Sequence, residues 1–225
     1  MPRGCLPLFL FITFIIFLPL FFAEAMLTAL NKLGLTTSQS LITGTGIFLG
    51  GVINIPVRKF RVRKSQRSYQ SLFGLHKFRY PTGQSPEHIV LAINLGGGLI
   101  PAFLAFYQFY RFGYLDPNFE IITAMLAALL INVAVCYKLA KPVENVGIAL
   151  NPFIPAVVAT ISAIILVPEQ APAAAFTAGI GGPLIGADLM HLGDIKKIST
   201  GMASIGGAGT FDGIVIAGII ATLLA

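Results

Sequence analysis

Seven apolar runs of about 20 residues succeed one another along this chain, at roughly 5–25, 39–57, 87–110, 119–138, 145–167, 172–190 and 201–225. A bilayer core about 30 Å thick takes about 20 helical residues to cross. Within it, only helices and closed barrels satisfy their own backbone groups. The expected fold is therefore all-α: a polytopic transmembrane bundle of about seven helices, with residues 1–225 forming one domain. Charged residues make up 11% of the chain, where a soluble domain carries about 25%. Cys5 and Cys136 lie in apolar runs, and His76, His88 and His191 are scattered. They give no disulfide framework and no CxxC spacing, so no metal or cofactor is expected.

The formal charge of +6 is local. Arg58, Lys59, Arg61, Arg63, Lys64, Arg67, Lys77 and Arg79 fall between residues 58 and 86, where no acid occurs. The remaining seven basic residues are outnumbered by nine acidic ones. With loop 58–86 in the cytoplasm, 13 of the 15 basic residues face inward, leaving Lys32 and Arg111 outside. The positive-inside rule then gives N-terminus in and C-terminus out. Arg3, the first apolar run and "AEA" at 23–25 also have the form of a signal peptide. Pro7, Pro19 and the continuing helical pattern favour a retained helix. Period-two alternation in "RKFRVRK" admits a short cytoplasmic β-hairpin; the alternative is a solvated loop that only sets topology. Membrane lipids are the expected partners, with Arg58, Lys59, Arg61, Arg63, Lys64 and Arg67 facing anionic headgroups. No nucleic-acid partner is expected.

Few strongly polar side chains interrupt the apolar runs: Asn54, Asn94, Asn132, Asn151, Asp188, Thr210 and Asp212. Counted from their segment ends, most fall at one depth in the cytoplasmic half. A carboxylate at a helix centre costs about 2.5–3.5 kcal/mol on insertion scales. Asp188 and Asp212 are therefore candidate catalytic residues. Asn54, Asn94, Asn151 and Thr210 are candidates to line a polar pocket with them. Gly96–Gly98 and Gly206–Gly209 permit close approach and a broken helix there. Asp188, His191 and Asp194 have a helical metal-ligand spacing, which Gly193 weakens.

"NIPV", "NLGGGLIP", "GADLMHL" and "SIGGAGTFDGIVIAGIIATLLA" together resemble domain of unknown function 1614, a family of bacterial and archaeal membrane proteins. The resemblance spans about residues 40–225 and implies a membrane protein without supplying a reaction. "GTFDG" is distantly similar to the Gly-x-Gly-Asp motif of presenilin-type intramembrane proteases, with Phe211 replacing the second Gly.

Three functions remain open at this point. One is an ion or small-solute transporter. "LGGGLIPAFL" at 95–104 and "IGGPLIGADL" at 180–189 agree at six of ten positions, and their segments run in opposite directions. The second is an intramembrane aspartyl hydrolase using Asp188 and Asp212. The third is a non-catalytic membrane scaffold or complex subunit.

Overall fold

The computed structural model describes residues 5–61, 88–143, 147–197, 202–207 and 212–225. Among these residues are seven α-helices: α1 (Cys5–Lys32), α2 (Thr37–Gly50), α3 (Ile100–Tyr110), α4 (Phe119–Leu139), α5 (Phe153–Leu166), α6 (Ala171–Gly181) and α7 (Gly213–Leu224). Wide π turns precede α3 at Leu95–Leu99 and extend α6 through Gly182–Leu189. Among the described residues, three helices are long and apolar enough to cross a membrane: Pro7–Lys32, Phe119–Leu139 and Pro168–Asp194. α5 and α7 are apolar but shorter, at 14 and 12 residues, about 21 and 18 Å at the helical rise.

The apolar runs and the helices differ at one end of the molecule. The run at 39–57 leaves its helix at Gly50 and continues as strand β1 (Asn54–Arg61). The run at 87–110 begins as β2 (His88–Asn94). The run at 145–167 begins as β4 (Gly147–Ala149), paired with β3 (Lys141–Val143). The run at 201–225 begins as β5 (Met202–Ile205), and α7 starts only at Gly213. Hydropathy cannot separate a buried strand from a helix over so short a stretch. The β-branched residues of "HIVLAIN" and the Pro of "NIPV" bias these ends toward strands.

The strands form two small sheets. In the first the order is β1-β2-β5. β1 and β2 are antiparallel, with Asn54 opposite Asn94 and a register shift between Pro56 and Arg58. β2 and β5 are parallel, from Val90 opposite Met202 to Ile93 opposite Ile205. Strand pairing therefore does occur at the basic loop, between Asn54–Arg61 and His88–Asn94. Arg63, Lys64 and Arg67, expected to face lipid, lie outside the described residues.

The bundle core is built on small residues. Ala128, Ala156, Ala159, Ala174, Ala178, Ala217 and Ala221 are fully buried where α4, α5, α6 and α7 meet. Side chains this small let helix backbones approach closely. Asn132 ties three of these helices, its amide donating to the carbonyls of Pro155 at 3.1 Å and Ala178 at 2.8 Å. At the other end of the bundle, Lys32 donates to the Leu223 carbonyl at 3.0 Å, joining α1 to the last turn of α7. α1 exposes Phe9, Phe11, Phe14, Phe17 and Phe21 by 60–68% each. That outward apolar face has the character of a lipid-facing surface.

Candidate functional site

Asp212 stands at the head of α7, not within it. Its backbone is extended, and its carboxylate accepts the N–H groups of Gly213 at 2.7 Å and Ile214 at 3.3 Å. This is an N-cap, the position where a short carboxylate satisfies donors the helix cannot pair itself. α7 therefore has no acid in its interior, and the cost of a mid-helix charge does not arise.

The approach to Asp212 is a turn that only glycine fits. Gly206 and Gly207 have φ of 81° and 76°, in the left-handed region that residues with a Cβ rarely adopt. Sterics add to this. A Cβ on Gly207 would collide with the Asp212 carboxylate. A Cβ on Gly97 would collide with the Gly206 carbonyl and lie 3.2 Å from Asp212 Cβ. The glycines of "NLGGG" and "SIGG" therefore pack backbone to backbone beside Asp212.

Asp188 reaches the same turn from the π-helical extension of α6. Its Oδ2 accepts the Gly206 N–H at 2.8 Å. Adjacent glycines thus each contact one of the two acids, which come from helix ends distant in sequence. Both carboxylates are half-buried and line one cavity of about 180 Å³. Leu91, Ile148, Ser204, Ile205 and Gly207 are among its other walls.

Behind this wall lies a buried polar network. Asn94 is fully buried. Its amide donates to the Gly51 carbonyl at 2.7 Å and to Asn54 Oδ1 at 3.2 Å. Its own Oδ1 accepts the Gly97 N–H at 2.7 Å. Ser204 donates to Asn54 Oδ1 at 2.6 Å. One side chain thereby fixes the end of α2, the strand β1 and the glycine turn that abuts Asp212. Ser204 is absent from the sequence-based set. Its signal was available in "MASIGG", a lone hydroxyl between apolar residues just before the glycine pair.

The structure thus brings Asn54, Asn94, Asp188 and Asp212 to one end of the bundle. Asn151 does not join them: it is exposed and accepts the Phe153 N–H at 3.0 Å at the start of α5. Thr210 lies outside the described residues. His191 turns its Nδ1 to the carbonyls of Gly186 at 3.1 Å and Ala187 at 3.0 Å, and its ring packs on Tyr137. Among the described residues, no group of three or more His, Cys, Asp or Glu side chains is placed to hold a metal. Arg58 and Lys59 are exposed on β1, with the Arg58 guanidinium 5.2 Å from the centre of the Phe60 ring.

A family model described as protein of unknown function DUF1614 matches residues 48–224. The matched span includes Asn54, Asn94, Asp188, Ser204 and Asp212, and the chain belongs to this family. No curated protein and no solved structure matches it.

Proposed function

We propose that this member of a family of unknown function is an integral membrane protein whose Asp188 and Asp212 act as a carboxylate pair, an intramembrane aspartyl hydrolase. The observation that carries the reading is that both half-buried carboxylates line one cavity. Such chemistry needs two acids at one substrate bond, one as base and one as acid. The base takes a proton from water, whose oxygen attacks the substrate carbonyl. The acid delivers its proton to the leaving group as the carbon–nitrogen or carbon–oxygen bond breaks. Asp212 suits the base, since both its oxygens are held as acceptors by the head of α7. Asp188 suits the acid. Among the described residues only its Oδ2 is held, by Gly206, which leaves Oδ1 to carry the transferred proton.

Transport is the weaker reading. It requires a polar path through the bundle, and the helices beside the site meet through buried Phe176, Ile180 and Ile214. The charge distribution supports an N-terminus inside, and the resemblance to a family of bacterial and archaeal membrane proteins supports a prokaryotic cytoplasmic membrane. In that setting Arg58 and Lys59 meet anionic headgroups at the membrane surface.

The test is hydrolysis of a peptide and ester library by the detergent-purified protein, read by mass spectrometry. Asp188→Asn and Asp212→Asn should each lower the rate at least about 100-fold, the scale of general acid–base catalysis. Asp194→Asn should leave it unchanged. Turnover that survives both of the first two substitutions would refute the assignment.

A further inference from the structure

The cavity that holds the two acids is also a slot between two strand edges. All four residues of β5, Met202, Ala203, Ser204 and Ile205, line it, and so do Gly147 and Ile148 of β4. Among the described residues β5 pairs only with β2, and β4 only with β3. The two sheets are separate. Among the described residues each therefore has one edge without a strand partner, and residues of both strands line the same space. Such edges are templates for a further strand, and strand addition is a general mode of peptide recognition.

The slot's chemistry selects the occupant. Its walls combine apolar side chains, Leu91, Ile148 and Ile205, with two strands whose outward N–H and C=O groups have no strand partner among the described residues. An acyl chain would leave those polar groups unpaired, and an ion would leave the apolar walls unused. An extended polypeptide satisfies both, because its amides alternate from one edge to the other while its side chains stand perpendicular. Among the described residues, its chain neighbours apart, no atom lies within 4 Å of the place a Cβ on Gly147 would take.

We infer that the slot takes an extended polypeptide segment, which adds as a strand between β5 and β4 and lies against Asp188 and Asp212. The inference deepens the hydrolase reading by naming its substrate class. It rests on that reading for the cleavage of the peptide, and not for its binding.

The experiment uses the full chain in detergent, carrying Asp188→Asn and Asp212→Asn so that nothing is cleaved. The probe is a fluorescein-labelled decapeptide of alternating Val and Thr, compared with the same peptide N-methylated at its four central amides. Saturable binding of the first and at least ten-fold weaker binding of the second are expected, because methylation removes main-chain donors and leaves the side chains unchanged. A photo-cross-linking residue in place of Met202, and separately of Ile148, should label the first peptide from both edges. Equal binding of the two peptides, no saturable binding, or labelling from one edge alone would overturn the inference. The wild-type protein separates the two readings. Strand-like binding without cleavage would defeat the hydrolase and keep the slot. Cleavage that tolerates N-methylation away from the scissile bond would defeat the slot and keep the hydrolase.

Discussion

The backbone N–H of Gly206 lies 2.8 Å from Asp188 Oδ2, and this contact ties the end of α6 to the turn that leads to Asp212. The turn works because Gly206 and Gly207 hold left-handed backbone that brings the N–H to one acid and a bare Cα to the other. Gly207→Ala should therefore destabilise the protein by about 1–3 kcal/mol, the scale of backbone strain at a non-glycine residue in such a conformation. The collision with the Asp212 carboxylate adds to that loss. Thermal unfolding in detergent measures it, and an unchanged midpoint would contradict the described turn.

Asn94 should be the most costly of the polar residues to remove. Asn94→Ala leaves the Gly97 N–H and the Gly51 carbonyl without their buried partner. Each such group costs about 1–3 kcal/mol, so the same melts should show a loss of about 2–6 kcal/mol. Asn151→Ala removes only an exposed hydrogen bond ahead of α5, and about 0.5–1 kcal/mol is expected. Equal losses at the two positions would contradict their different placement.

Ser204→Ala removes the donor that shares Asn54 Oδ1 with Asn94. The hydrogen bond is worth about 1 kcal/mol. Because Ser204 also lines the cavity, the variant should lose activity beyond what its small shift in melting explains. Activity equal to wild type would assign Ser204 to scaffolding alone.

Orientation is open to chemical labelling. Ser65→Cys should resist an impermeant maleimide in intact cells, and Gln170→Cys should react with it. Labelling of the first from outside would reverse the proposed topology.

The helical bundle was legible in the sequence because apolar runs of about 20 residues have the length and hydropathy of a spanning helix. Segment order even paired the correct ends: Lys32 and the C-terminal turn of α7, expected on one side, meet through the Leu223 carbonyl. The strands were less legible, since "HIVLAIN" and "MASI" are as apolar as the helices they abut. Asp188 and Asp212 could be selected from the cost of an acid in an apolar run. A break near Gly206–Gly209 was legible in the glycines, but that the helix restarts at Gly213 with Asp212 as its cap was not. Asn151 shows the converse. A polar residue in an apolar run reads as buried, yet here Asn151 is exposed just ahead of α5 and accepts the Phe153 N–H.

The most direct test of the account is a double-mutant cycle on hydrolysis by the purified protein, with Asp188→Asn, Asp212→Asn and both together. If the acids form one catalytic unit, either substitution removes the chemistry and the second costs little more, as residues that act together are strongly non-additive. The account predicts that the double variant is no slower than the slower single variant, within a factor of about three. Losses that multiply would mean two acids working independently, and would contradict the shared site.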